Sequence, residues 1–258
     1  KNLMTNLREY MFRAWYWYVN NVDKNADVLF MNYGYTADNL NVTLKPEDEN
    51  NRYSVQLYHH LAAEVDIENK DILEVGCGRG GGLSYIVKTF NPATAKGMDL
   101  DKSAVKFCKK QYQLKGLSFT QGDAQNLPFE ENSRDIILNV ESSHRYPEFN
   151  LFLDGVKKIL RPGGYFLFTD FRFDKDIEKF KKQLKESGLK IIKEEVITKK
   201  VVKALELDDQ RKRNLVKKLV PGFISKVALN FAGTIGSETY NKFNSGGYTY
   251  FSYILQNV

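Results

Sequence analysis

From Lys70 onward, short apolar runs alternate with longer stretches of helical spacing, and turn residues separate the two. Ile72, Leu73 and Val75 make up a run too short for a helix, and the glycines that follow it mark the end of a buried strand. The same pattern predicts further strands ending at Asp99 and over 117–121, 135–139, 165–170, 189–198 and 248–255. Apolar positions three and four apart predict helices over 80–90, 102–113, 150–160 and 174–187. Arg161-Pro-Gly-Gly164 stops the third of these and Gly188 the fourth. Strands that alternate with helices imply crossover units and a parallel sheet. The expected class is therefore α/β, a doubly wound, mostly parallel, seven-stranded sheet.

Both ends carry additions to this pattern. Leu3, Leu7, Tyr10, Met11, Trp15, Tyr18, Val19 and Val22 fall at helical spacing, with Phe12, Tyr16 and Trp17 beside them. An aromatic-faced helix or helix pair is expected over 3–30, packed on the core, closed over a hydrophobic substrate, or lying on a membrane surface. Gly34, between Tyr33 and Tyr35, predicts a turn able to close a pocket, and Tyr53, Leu57, Leu61, Ala62 and Val65 predict a helix before the first strand. Residues 203–245 read as largely helical, either a substrate cap or a plain elaboration, before the last strand. The expected organisation is one domain, 1–258, with a helical lid over 1–56, a core over 57–200, a cap over 201–247 and the last strand over 248–258.

Composition narrows the class. A chain of 258 residues that is 42% hydrophobic can bury a large core. The net charge of +6 permits attraction to nucleic acid or anionic lipid, but the lysines are spread along amphipathic helices as a solvated surface would have them. With Cys77 and Cys108 as the two cysteines, neither a disulfide framework nor a zinc site is suggested, and no metal is expected. There is no apolar run of 18 residues and no cleavable leader pattern, so a cytoplasmic location is expected.

The chemistry gathers on Asp71 to Gly82 and the strand ends that follow it. Gly76-x-Gly78-x-x-Gly81 after a strand is a turn through which backbone can approach a ligand closely, as in a dinucleotide cradle. In an open parallel sheet, ligands bind beyond the carboxyl ends of the strands. Those ends here supply Glu74 with the glycines, Asp99, Asp123 and the segment Asn139 to His144. Asp99 can accept from both ribose hydroxyls and Asp123 from an adenine amine, although each acid alone also reads as a turn or capping residue. A pyrophosphate wants bare amides, whereas an ammonium and a sulfonium tolerate a carboxylate, so Glu74 favours a cationic ligand over NAD.

Residues 70–170 resemble the class I S-adenosylmethionine-dependent methyltransferases, whose Rossmann-like fold is the one expected above. Leu73-Glu-Val-Gly-Cys-Gly-Arg-Gly80 is similar to their first motif, Gly97-Met-Asp-Leu-Asp101 to the second, Gly122-Asp-Ala-Gln-Asn-Leu-Pro-Phe129 to the third, and Leu160-Arg-Pro-Gly-Gly164 to the lead into strand five. Asn51-Arg-Tyr53, Leu57-Tyr-His59, Gly80-Gly-Gly82, Asn139-Val-Glu-Ser-Ser-His144, Tyr146-Pro147 and Phe231-Ala-Gly-Thr-Ile-Gly236 further resemble the mycobacterial phthiotriolone-type O-methyltransferases, which act on long polyketide-derived lipids. The resemblance implies S-adenosyl-L-methionine as cofactor. Glu74, Gly76 and Gly78 would hold its methionine part, Asp99 its ribose, and Asp123 with Ala124 the adenine edge. Asn139 would line the methionine side and Tyr33 would fold over the cofactor, with Cys77 and Leu100 completing the set.

A hydroxyl acceptor needs its proton removed. His144, just past strand four, is the expected base, its alternative being a histidine fixed by packing or by Glu141. His59 and His60 are weaker candidates. The expected activity is O-methylation of a hydroxyl on a hydrophobic small molecule, lipid or polyketide-like, with carboxyl (fatty-acid) methylation or C-methylation as alternatives. A nucleic-acid methyltransferase is the more distant rival. No Asn-Pro-Pro-Tyr or Asp-Pro-Pro-Tyr tetrapeptide follows strand four, and no nucleic-acid partner is expected. A protein that binds the cofactor without catalysis is a further rival. The sequence leaves the oligomeric state open.

Overall fold

A computed structural model describes residues 18, 19, 22, 23, 25–38, 40 and 42–258, so of the helix or helix pair expected over 3–30, residues 3–17, 20, 21 and 24 lie outside the described residues. From residue 42 onward the α-helices are α1 (Pro46–Glu49), α2 (Arg52–Ala62), α3 (Gly81–Phe90), α4 (Lys102–Gln111), α5 (Phe149–Ile159), α6 (Ile177–Glu186), α7 (Thr198–Leu219), α8 (Ser225–Ala232) and α9 (Glu238–Asn244), and Tyr18, Val19 and Val22 are helical as well. The strands are β1 (Asp71–Val75), β2 (Thr94–Asp99), β3 (Leu117–Gln121), β4 (Arg134–Val140), β5 (Leu160–Phe173), β6 (Lys190–Val196) and β7 (Tyr248–Gln256). They form one seven-stranded sheet in the order β3-β2-β1-β4-β5-β7-β6, with β7 antiparallel to both its neighbours and the other pairs parallel.

This order positions the site. The chain winds outward from β1 through β2 to β3, then crosses back to β4, so the order reverses between β1 and β4. In an open sheet such a reversal leaves a crevice beyond the carboxyl ends of the two strands. Alternation along each strand sends Ile72, Ile136, Leu138 and Leu167 into one core with Leu57, Leu83 and Leu205, and Leu73, Ile137, Phe166 and Phe168 into another with Phe152, Val156 and Phe180. Burial on both faces explains why these strands read as continuous apolar runs.

Three boundaries differ from the sequence reading. β5 extends well beyond 165–170 because its far end pairs residue for residue with β7, from Tyr165↔Gln256 to Phe173↔Tyr248. The helix expected from 203 begins at Thr198, whose Oγ1 accepts from Tyr250 N at 2.9 Å, so the 200/201 division falls inside α7. The helical reading of 3–30 also fails over its last part, because Asp23 and residues 25–30 carry no helix. There, side chains satisfy the backbone: Asp23 accepts from the amides of Asp27 and Val28, at 2.9 and 2.8 Å, and Arg79 donates to the carbonyls of Val19, Asp23 and Val28.

Candidate active site

The turn after β1 is pinned from below. The amides of Gly76 and Cys77 both donate to Met98 O, at 2.7 and 3.0 Å, and Gly78 N donates to Asp99 Oδ2 at 2.8 Å. Gly76 (φ +76°) allows no side chain, since a Cβ there would lie 1.9 Å from Ser142 Oγ. A Cβ on Gly78 would meet nothing within 4 Å, so this part of the loop faces open space. The Cys77 thiol does not face that space. It is buried under the loop, beside Gly97, and a Cβ on that glycine would approach its sulfur to 2.9 Å.

Glu74 and Asn139 stand at the crevice floor, both fully buried. Tyr58 OH donates to Glu74 Oε1 at 2.7 Å, and Asn139 Nδ2 donates to Val75 O at 2.9 Å and Tyr146 OH at 3.0 Å. Glu74 Oε2 and Asn139 Oδ1 have no partner. Two buried acceptors without donors are costly unless a ligand supplies them, and an ammonium does so with three. Burial, partly opposed by the Tyr58 bond and reinforced by nearby Asp99, raises the Glu74 carboxyl to about 8. Asp99 is itself raised by burial, and its Oδ1 accepts from Asp101 N at 2.9 Å. Leu100, just beyond it, is 58% exposed. Asp123 Oδ1 accepts from Gln125 N at 2.9 Å in the next strand-end turn, and Ala124 is buried beneath it.

His144 sits in a short helical turn past β4 and points at a residue that sequence reasoning passed over. Its Nδ1 lies 2.8 Å from Asp170 Oδ1, and its backbone N donates to Asp170 Oδ2 at 2.8 Å. Ser143 Oγ also donates to Asp170 Oδ2 at 2.7 Å, and Arg172 Nη1 lies 3.2 Å from that oxygen. Burial pushes Asp170 up, but His144 and Arg172 outweigh it and hold the carboxyl well below the usual range. His144 is lowered, burial outweighing Asp170. Arg145 Nε donates to His144 Nε2 at 3.3 Å, which places the ring proton on Nδ1 and the lone pair on Nε2. Phe171 packs on the imidazole with centroids 4.4 Å apart. Asp170 was legible as one more acid at the carboxyl end of a strand.

Glu141 does not orient His144. It has φ +47°, and its Oε1 accepts from Tyr33 N at 2.7 Å and Tyr250 OH at 2.5 Å. Burial lifts its carboxyl to about 8. Tyr33 thereby lies against the site, its ring packed on Phe171 and Phe243 at 5.8 and 5.1 Å. His59 instead meets Tyr85 OH at 2.8 Å and His60 stacks on Tyr35 at 4.3 Å, so neither joins the Asp170 cluster.

Two further residues escaped the sequence reading. Arg79, in the glycine turn, is buried and pairs with buried Asp23 at 2.9 Å while lying 3.6 Å from the Phe107 ring centroid, fastening the strap of residues 25–35 over the turn. Lys212 lies in the wall of an apolar cleft between this strap, α7 and α8, with Val19, Phe30, Val216 and Phe231 among its lining. Its Nζ donates to Tyr33 O at 3.3 Å, while nearby Asp208 is taken bidentately by Arg211 at 2.6 Å. Burial, opposed by Asp208, lowers the Lys212 ammonium to about 8.

The reversed strand order, the open glycine turn with an acid below it and acids at the next two strand ends define a class I S-adenosylmethionine-dependent methyltransferase. The comparisons agree. A family model described as a methyltransferase domain matches residues 73–168. The fatty-acid O-methyltransferase of Mycolicibacterium smegmatis is 46% identical over 202 residues, 78% of this chain and 74% of its own length. The phthiotriol/phenolphthiotriol dimycocerosates methyltransferase of Mycobacterium tuberculosis is 37% identical over 250 residues, 96% and 93% of the two chains. The chain belongs to this methyltransferase family and is an S-adenosylmethionine-dependent enzyme. Among solved structures, geranyl diphosphate C-methyltransferase of Streptomyces coelicolor shares the fold with a TM-score of 0.67 at 16% identity, covering 93% of this chain and 95% of that one. Among the described residues no helix is long and apolar enough to cross a membrane.

Proposed function

We propose that this enzyme methylates an oxygen, in the first instance a hydroxyl, on a hydrophobic lipid-like acceptor. The observation that carries the reading is the pair of partly buried His144, just past β4, with fully buried Asp170, near the end of β5, among aromatic side chains. Both mycobacterial relatives are named for lipid-type acceptors, which supports the class of molecule. Glu74, Asn139 and the Gly76–Gly78 backbone would hold the methionine part of the cofactor, Asp99 the ribose, and Leu100, Asp123 and Ala124 the adenine side. When bound there, S-adenosylmethionine supplies an electrophilic methyl on a good leaving group.

The chain's own residues then align the acceptor, exclude water and move one proton. Asp170 holds Nδ1–H of His144, so Nε2 is the atom that takes the hydroxyl proton as the oxygen attacks; Arg145 releases Nε2 for this step. Asp170 stabilises the imidazolium formed. Tyr33, Phe171 and Phe243 supply an apolar wall. The strap forms a lid, and α7 to α9 form the cap over a single catalytic domain.

A second reading, methylation of a carboxylate, is favoured by Lys212, a buried cation in the wall of an apolar cleft. A carboxylate needs no base. The two readings separate in one experiment, with labelled cofactor at saturation and a fatty alcohol and a fatty acid of equal length as acceptors. His144→Ala is expected to slow alcohol methylation by about a hundredfold or more. Unchanged turnover of the alcohol would remove His144 as base, and activity confined to the acid that falls in Lys212→Met would favour the second reading.

A further inference from the structure

The turn joining α7 to α8 carries a feature that the reaction does not use. Phe223 is 88% exposed, the most open of the large apolar side chains among the described residues, and it sits between exposed Pro221–Gly222 and the start of α8. Its neighbour Ile224 turns the other way, onto a small cluster of Val216, Val220 and Ala228. These three residues line the apolar cleft described above, so the turn is continuous with the cleft wall. Around Phe223, Lys217 and Lys218 close α7, and Lys226 opens α8, all three exposed. Lys218 is paired with Asp27, while Lys217 and Lys226 form no ion pair among the described residues.

Lysines in the last turn of a helix also complement its dipole, which accounts for Lys217 but for neither Lys226 nor the bare phenyl ring. A projecting aromatic ring flanked by cations matches the boundary of an anionic bilayer, where the ring enters the acyl region and the ammonium groups stay among the phosphates. Its place beside the cleft also fits an acceptor that resides in a membrane and enters the protein by its tail.

We propose that the Val220–Ile224 turn docks this enzyme on anionic lipid surfaces, with Phe223 inserted and Lys217 and Lys226 on the headgroups. The docking places the apolar cleft at the membrane and rests on the lipid-acceptor reading only for its purpose. Binding itself is measured without turnover.

The test is co-sedimentation of the full chain with vesicles of phosphatidylcholine alone and of phosphatidylcholine doped with phosphatidylglycerol. Binding to the doped vesicles, lost at high salt and absent from the neutral ones, is expected. Phe223→Ala should weaken it about tenfold, and neutralising Lys217 and Lys226 to Gln about fivefold each. Methylation of a short, water-soluble acceptor should be unchanged in all three variants, which also shows that they fold. No binding to doped vesicles, or binding indifferent to Phe223→Asp, overturns the proposal. So does a wild-type dimer on size-exclusion chromatography that Phe223→Asp dissolves, since the occupant is then a second copy. Vesicle binding with no methyl transfer to any lipid would leave the docking intact and refute the functional reading instead.

Discussion

Cofactor binding should release a proton from Glu74, and the amount follows from its surroundings. Burial in the crevice floor, with Oε2 unpartnered, raises the carboxyl to about 8, so at pH 7 it is about nine-tenths protonated before the cofactor arrives. An ammonium placed against Oε2 reverses this, because a nearby cation favours the carboxylate. If the occupied site returns Glu74 to its ordinary 4.5, binding releases roughly 0.9 proton at pH 7 and roughly 0.1 at pH 9. Integrated between pH 6 and 8, affinity should rise about fiftyfold from this group alone. Titration calorimetry at pH 7 in buffers of different ionisation enthalpy measures the release directly. Glu74→Gln should abolish it and flatten the pH dependence. A wild-type binding heat independent of buffer, or a release that survives in Glu74→Gln, would refute the placement of the cofactor amine on this carboxylate. The sign for stability is opposite. The unfolded carboxyl ionises near 4.5 and the folded one near 8, so the empty enzyme loses this contribution as pH rises between those values.

Asp170→Asn should lower kcat on a hydroxyl acceptor by about a hundredfold to ten-thousandfold, because the amide no longer fixes the Nδ1–H tautomer of His144. Since Asp170 is held below the ordinary carboxylate range, its contribution to stability is present above that range and lost on acidification; a Tm series from pH 6 downward should be flatter in the variant. Gly82→Ala would put a methyl 1.9 Å from the Tyr58 ring and should cost about 1–3 kcal/mol by denaturant unfolding, with a weakened cofactor affinity as Tyr58 shifts from Glu74. Arg79→Met leaves the Asp23 carboxylate buried without its cation, which should cost about 3–5 kcal/mol, and amide exchange should then speed up over residues 25–35. An exchange pattern identical to wild type would show that Arg79 does not fasten the strap.

Much of the core was written locally. Each crossover unit needs only a short apolar run, a turn and a helical stripe; Gly76 follows from a position where a Cβ would meet Ser142, and Gly78 from a positive φ of +51°. Placing Asp99 and Asp123 beside that turn required one general rule, that parallel strands align their carboxyl ends. Asp170 obeys the same rule but went unread, because its strand looked like plain core and its partner His144 lies 26 residues earlier.

What the sequence by itself determined was the alternation of strands and helices and the glycine turn with acids at the strand ends. These are properties of neighbouring residues, and sterics and periodicity enforce them. What only the tertiary structure decided were pairings between distant segments: Asp170 with His144, Glu141 with Tyr33 and Tyr250, Arg79 with Asp23, and Lys212 with the Tyr33 carbonyl. Buried polar groups must find partners, and which partner is within reach depends on how strap, sheet and cap pack together, which no local pattern records.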